Sequence, residues 1–390
     1  MNTSIEKMQS AFQNPDRRYG VFKIVHGAAA KRDMAQAIDE LGFAGIVGNV
    51  DYDETFPDRR LFDACSDGMR SYFARGMHTW IYDEKGYPSG SAGGYVTENH
   101  PEFVAQGLYC YDYWRVVSGP GKYRADVPGD KLWKALLVPL SSGDKRTSDS
   151  TIADADPIDV TDALNENNVL YVDVPAGSYY LFMMSIRRLF DGTHATEAYS
   201  EPRNYISLSD KEATRAFIAC THEKYKEVLG DEFGKGVLAT FTDEPSLISW
   251  NIRRAVFPIL PWLHSYPADF EKRFGYPLEY ACSAVVLKGG KDWIKRRCDF
   301  WEFIGDSVAD GFFGTIADWA HQNRLKSSGH LLEEESLQAH VYCYGSFFRA
   351  MSKLDWPGID QLNCKAASLM NTNQVPFARF VASFGDLNGE

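Results

Sequence analysis

The chain has 390 residues, of which 44% are hydrophobic and 24% charged, so it can bury a large core as ordinary globular proteins do. Its net charge of −12 argues against nucleic acid or an anionic membrane surface as a partner. The N-terminus has no apolar signal segment, and nowhere do about 18 apolar residues run together, so we expect no signal peptide and no membrane span.

The first hundred residues alternate between short apolar runs and amphipathic helical patterns. Apolar runs at 20–26, 45–50 and 77–83 predict buried strands. Helical patterns at 28–42 and 58–76 separate them. A strand–helix–strand alternation at this spacing is typical of parallel βα units.

The pattern changes between residues 104 and 190. Short alternating and apolar runs follow one another there, punctuated by Gly, Pro, Asn and Asp, with no long helical period. This predicts antiparallel β structure. We therefore divide the chain into a first part of a barrel at 1–100, a β-rich insertion at 101–205 and the remainder of the barrel at 206–390.

Helical periodicity returns at Ser209, and a longer helical pattern spans 294–322. Four more strands are predicted in this part of the chain, at 237–243, 325–332, 358–362 and 377–383. The total of seven predicts an α/β fold of the TIM-type (β/α) barrel, which has eight parallel strands. We expect it to lack its last βα unit and to be truncated at the C-terminus, with the antiparallel insertion after the third strand.

Polar residues gather where these predicted strands end, and in parallel βα folds reactive side chains lie there. They are Tyr82, Asp83 and Glu84 after the third strand, Asp243 and Glu244 after the fourth, His330, Glu333, Glu334 and Glu335 after the fifth, and Asp360 in the sixth. Glycoside hydrolysis needs one carboxyl group that is protonated and one that is ionised. Carboxylates at successive strand ends fit that chemistry.

Side chains alternate along an extended chain, which predicts that Asp243 and Glu244 point to opposite faces. A negative charge that raises the pKa of Glu244 would then come from another strand, and the carboxylates at 333–335 are the expected source. Other chemistries lack their signatures: the glycine-rich segment 86–94 has no phosphate-loop lysine, and no GxSxG elbow is present. Aromatic residues make up 14% of the chain, and sugar-binding clefts use their flat faces. The seven scattered cysteines favour reduced, buried thiols and a cytoplasmic location.

Four segments resemble the bacterial glycoside hydrolases of family 106, the α-L-rhamnosidases. They are WIYDEKGYPSGSAGG, FTDEPS, SGHLLEEESL and LDWPGIDQL. The resemblance implies a (β/α)-barrel with inserted β structure, inverting hydrolysis of terminal α-L-rhamnose, and possible dependence on calcium, whose ligands it does not assign. Apart from this resemblance, the sequence itself requires no cofactor.

The resemblance also implies roles for the polar residues at the strand ends. Glu244 resembles the general acid. Glu334 is the first choice for the base, with Glu333 and Glu335 as close rivals. The expected sugar-binding residues are Tyr82, Asp83, Glu84, Asp243, His330, Glu333 and Glu335.

Two alternatives stay open at this point. A retaining glycosidase for another sugar would hold its two carboxyl groups about 5–5.5 Å apart, whereas an inverting enzyme holds them about 6.5–9.5 Å apart. A truncated or inactive barrel fragment would bind carbohydrate without cleaving it. In every case the expected partner is an oligosaccharide or glycoside, with neither nucleic acid nor membrane involved.

Overall fold

A parallel sheet of six strands lies at the centre of the computed structural model. In spatial order the strands are β1 (Phe22–Val25), β2 (Gly45–Gly48), β3 (His78–Tyr82), β9 (Val237–Asp243), β11 (Lys326–His330) and β12 (Trp356–Pro357). All neighbouring pairs are parallel. The structure describes residues 2–388 except 14, 52, 54, 112–115, 130, 142–151, 190–203, 248–255, 335 and 361–375.

Helices connect these strands and cover one face of the sheet. The helices α2 (Ala28–Glu40) and α3 (Arg59–Phe73) join β1 to β2 and β2 to β3, and Val25 and Ile46 pack against them in a buried cluster. The remaining helices are α1 (Asn2–Gln13), α4 (Tyr95–Asn99), α5 (Lys211–Cys220), α6 (His222–Leu229), α7 (Tyr266–Phe274), α8 (Leu278–Leu287), α9 (Trp293–Val308), α10 (Gly314–Gln322), α11 (Leu337–Tyr344), α12 (Phe347–Met351) and α13 (Pro376–Asn388).

The opposite face of the sheet is concave and is lined by aromatic rings. Phe22 on β1 contacts Trp80 on β3 with ring centroids 4.9 Å apart, and Trp80 contacts Trp356 on β12 at 5.3 Å. Two strands separate β3 from β12, which is about 14 Å of flat sheet at the usual strand spacing. The sheet must therefore curve for these rings to meet. Within the described residues no pairing closes β1 onto β12, so a curved sheet is observed and a closed barrel is not.

A second sheet is antiparallel, as the alternating sequence pattern predicted. It contains β4 (Gln106–Tyr111), β5 (Val116–Asp126), β6 (Leu132–Pro139), β7 (Ile158–Asp159) and β8 (Val169–Arg188). The 20-residue β8 pairs with β4, β5 and β6. A further strand, β10 (Ile259–Trp262), pairs with β4, so residues beyond the predicted insertion also belong to this sheet.

The first five predicted parallel strands are confirmed, and β3 and β9 are neighbours across the insertion. The sixth is misplaced, because β12 covers Trp356–Pro357 while 358–360 are not in a strand and 361–362 lie outside the described residues. The seventh is wrong, because 377–383 belongs to helix α13. Its apolar residues recur at a spacing of three and four, which suits a helix, and Phe384 is buried against the ring of Phe348.

In the part of the chain that the structure describes, no helix is both long and apolar enough to cross a membrane. Six of the seven cysteines are described, and no disulfide joins them. Five of these are buried as predicted, but Cys298 is exposed, and Cys364 lies outside the described residues.

Candidate active site at the carboxyl edge of the parallel sheet

Polar groups lie above the aromatic floor of the concave face. Tyr82 follows Trp80 by two residues on β3, so both side chains project from the same face. The Tyr82 ring lies 5.3 Å from His26, which follows β1, and 5.5 Å from Phe241 on β9. The Phe241 ring in turn lies 5.8 Å from His330 on β11. The carboxyl ends of these strands therefore meet at one mouth, as expected in a parallel sheet.

Asp243, Glu244 and His330 form the centre of this mouth. One carboxylate oxygen of each acid and one ring nitrogen of His330 all lie within 4.8 Å of one another. The prediction that Asp243 and Glu244 point to opposite faces is wrong. Glu244 has a φ of 76°, in the left-handed region, so the chain is not extended there and side-chain alternation stops.

His330 lies between two carboxylates. Its Nε2 is 2.7 Å from Asp243 Oδ1, and its Nδ1 is 3.4 Å from Glu334 Oε1. Burial of the ring lowers its pKa, but the two carboxylates outweigh this effect and raise the pKa of His330 well above its usual value. The two flanking carboxyl groups therefore favour the protonated form of the ring.

Glu334 is directed into the protein, with only 3% of its surface exposed. Its Oε1 accepts hydrogen bonds from the backbone N–H groups of Leu331 and Asp360, both at 3.1 Å. This carboxylate thus ties the end of β11 to the segment after β12. Glu333, at a φ of 57°, is half-buried, and Glu335 lies outside the described residues.

Asp360 belongs to the same mouth; the sequence placed it among the strand-end acids but gave it no catalytic or sugar-binding role. It is half-buried, and burial raises its pKa. The charge of His330 opposes this rise, while the negative charges of Glu244, Glu334 and Asp243 add to it. A carboxyl group with a raised pKa beside other acids is typical of acid–base sites.

The acids after β3 are placed differently, since Asp83 and Glu84 are both fully buried. Ser89 Oγ donates to Asp83 Oδ1 at 2.6 Å and accepts from the Asp243 backbone N–H at 2.8 Å. Burial raises the pKa of Asp83 well above its usual range. The Glu84 carboxylate accepts four backbone N–H groups at 2.5 to 3.0 Å, from Lys85, Ser91, Ala92 and Gly93.

Tyr82 links the two groups of acids. Its hydroxyl contacts the Asp243 carboxylate and the backbone carbonyl of Gly86, and the residue is almost fully buried. The structure therefore brings Tyr82, Asp243, Glu244, His330 and Glu334 together. It places the carboxylates of Asp83 and Glu84 behind the mouth, where they hold its backbone.

The calcium that the resemblance implies does not fit the three-residue group of Asp243, Glu244 and His330. Calcium takes six to eight oxygen ligands. This group offers two carboxylates and an imidazole, whose Nε2 is already bonded to Asp243. The raised pKa of His330 also favours a protonated ring, which has no lone pair for a metal.

Comparisons with known proteins find a likeness among solved structures. No known family and no curated protein matches the chain. A solved rhamnosidase is similar to it. This is the rhamnosidase from Novosphingobium sp. PP1Y, with a TM-score of 0.56 and 15% identity over 89% of the chain. The chain spans about half, 48%, of that rhamnosidase's length. The likeness shows a shared fold, and membership of family 106 stays a prediction.

Proposed function

We propose that this chain is a glycoside hydrolase that acts on terminal α-L-rhamnose or a related sugar. The observation that carries the proposal is the convergence of Glu244, Asp360 and His330 at the carboxyl edge of the curved parallel sheet. Hydrolysis of a glycosidic bond uses two carboxyl groups, one on each side of that bond. The fold shared with a solved rhamnosidase and the four sequence motifs support the choice of sugar.

We assign Glu244 as the proton donor. The resemblance gives it that role, and its left-handed backbone turns its carboxyl group into the mouth beside Asp243 and His330. A donor at this position would give its proton to the oxygen of the leaving group as the bond breaks. Asp243 then orients the His330 ring through its contact with Nε2.

We assign the base to Asp360 in place of Glu334. The Glu334 carboxylate is buried, and backbone N–H groups occupy the oxygen that faces His330, so we give it the role of positioning that ring. Asp360 is more accessible, and its raised pKa makes it a stronger base than an ordinary aspartate. In an inverting mechanism it would deprotonate the attacking water.

We also propose that the curved sheet is the larger part of a (β/α)-barrel. The strands are parallel, lie in sequence order and curve enough for β3 and β12 to share an aromatic contact. This is how the strands of a barrel are arranged around its interior.

The test compares two rhamnosides, one with a poor alkyl leaving group and one with an activated aryl leaving group. Glu244→Gln should lower the rate on the alkyl substrate by about 10²–10⁴-fold and the rate on the aryl substrate far less, since an activated group needs little protonation. Asp360→Asn should slow both equally. Asp173→Asn, an exposed site on β8, is the matched control and should change neither.

The outcomes also separate the alternatives. If Asp360→Asn slowed mainly the alkyl substrate and Glu244→Gln slowed both substrates equally, Asp360 would be the acid and Glu244 the base. Retention of configuration in the released sugar, followed by NMR, would refute the inverting mechanism. Sugar binding without turnover of either substrate would refute the enzymatic proposal and favour a carbohydrate-binding protein.

A further inference from the structure

His26 is an exposed polar residue at the mouth that the proposed mechanism does not use. It follows β1 and lies on the same face as Phe22, whose ring belongs to the aromatic floor. Its ring lies perpendicular to that of Tyr82, at a centroid distance of 5.3 Å and an interplanar angle of 88°. Tyr82 in turn contacts Asp243. His26 therefore shares one rim with the carboxylate cluster.

A buried asparagine determines which atom faces the His26 ring. The Asn49 Nδ2 group lies 2.7 Å from the backbone carbonyl of Glu84 and 3.4 Å from that of Lys85. Carbonyl oxygens only accept hydrogen bonds, so the NH₂ group must face them. The Asn49 Oδ1 atom then faces His26 Nδ1, at 3.0 Å.

The orientation of Asn49 also fixes the position of the proton on the His26 ring. An amide oxygen is also only an acceptor, so His26 Nδ1 must carry a proton to donate to it. In the neutral ring Nε2 then has no proton and presents a lone pair. The carbonyls that orient Asn49 are themselves fixed, because the Glu84 carboxylate accepts the Lys85 N–H and three amides of the following turn.

We propose that His26 is a further sugar-binding residue, which accepts a hydrogen bond from a substrate hydroxyl through Nε2 in a tautomer fixed by Asn49. The inference rests on the proposed function, since it takes a carbohydrate as the ligand of this mouth. The carboxylates of the cluster accept hydrogen bonds on one side of the mouth. His26 supplies a neutral acceptor on the opposite side, at the end of β1.

The tautomer is tested first, independently of any activity. Long-range ¹⁵N–¹H NMR on the histidine-labelled full chain at mildly alkaline pH should show His26 protonated at Nδ1 and unprotonated at Nε2. The signals are assigned by their loss in His26→Gln. His78 is the internal control, since its Nδ1 lies 3.0 Å from the Lys235 carbonyl at the opposite end of the sheet. Asn49→Ala should change the tautomer of His26 and leave His78 unchanged.

Sugar contact is tested next by titration with L-rhamnose, or with the sugar that the chain is found to release. The Nε2 signal of His26 should shift, and the His78 signals should not. His26→Phe should lower kcat/KM by about 3- to 10-fold, mainly through KM, which is the effect of one lost hydrogen bond. His78→Phe should have no such effect.

Each failure has its own meaning. A proton on Nε2 in the native chain, or no shift of His26 at a saturating sugar concentration, overturns the inference. Equal kinetic losses in His26→Phe and His78→Phe overturn it too. A chain that binds sugar through His26 but hydrolyses no glycoside upholds the inference as a binding site and refutes the proposed hydrolase.

Discussion

The same dipeptide, Asp–Glu, ends two neighbouring strands of one sheet and has opposite surroundings in the two places. After β3, Asp83 and Glu84 are fully buried. After β9, Asp243 and Glu244 are only half-buried and lie close to His330. The difference lies in the chain that follows. The next residue, Lys85, and the glycine-rich turn that follows give Glu84 one and three N–H groups, whereas the left-handed backbone of Glu244 directs its side chain into the mouth.

Each aspartate of these pairs also meets a histidine, and again the results differ. His222 Nε2 is 3.7 Å from Asp83 Oδ2 with both side chains fully buried, and burial lowers the pKa of His222 to about 3. His330 is 2.7 Å from Asp243, and its pKa is raised. Hence burial favours the neutral form of His222, whereas its carboxylate neighbours favour the protonated form of His330. Distance and burial, rather than residue type, decide between structure and chemistry.

The largest effect on stability is expected at Glu84. Glu84→Ala removes a carboxylate that accepts four hydrogen bonds and leaves buried donors without it, so the free energy of unfolding should fall by roughly 3 kcal/mol or more. Glu244→Ala should change it by less than about 1 kcal/mol. Urea unfolding of both variants measures this. Equal losses would show that the two dipeptides do not differ as described.

The two histidines should give opposite dependences of stability on pH. The folded pKa of His330 is raised, so its contribution is complete below the unfolded pKa of about 6.5 and is lost as pH rises through the folded pKa. The folded pKa of His222 is lowered, so its contribution is present above about pH 6.5 and is lost as pH falls toward about 3.

The prediction is checked by measuring the free energy of unfolding of the wild type, His330→Gln and His222→Gln across pH. The difference between the wild type and each variant gives the contribution of that histidine. Each unit of pKa shift corresponds to about 1.4 kcal/mol. In an Asp243→Asn background, the pH dependence of the unfolding free energy that His330 causes should be smaller. Parallel pH profiles for the two histidine variants would contradict the opposite pKa shifts of the two histidines.

The smallest effect is expected from the backbone of Glu244. Its φ of 76° is strained for any residue with a Cβ, so Glu244→Gly should be about 1 kcal/mol more stable than Glu244→Ala, with both inactive on the alkyl glycoside. Glu84 does not have a positive φ, so Glu84→Gly should be no more stable than Glu84→Ala. Thermal or urea unfolding of the four variants measures these differences. If glycine were more stable than alanine at position 84 but not at position 244, the prediction would be wrong.

Sequence patterns located most of the parallel sheet, because apolar runs between helical periods report burial directly. They failed at the C-terminal end. Residues 377–383 contain β-forming aromatic and branched residues in an order that also suits a helix, and packing of Phe384 against Phe348 accompanies the helix. The two-residue β12 is too short to leave a reliable pattern.

The sequence by itself determined which strand ends carry acids, and the order of parallel strands determined that these ends meet at one edge. Only the tertiary structure decided which acids reach the mouth. Side-chain alternation predicts directions for an extended chain, and it failed at Glu244 because the backbone turns there. Neither the burial of Glu84 nor the pairing of His330 with Glu334 follows from the strand pattern, since both depend on how the chain turns back within a few residues of the strand end.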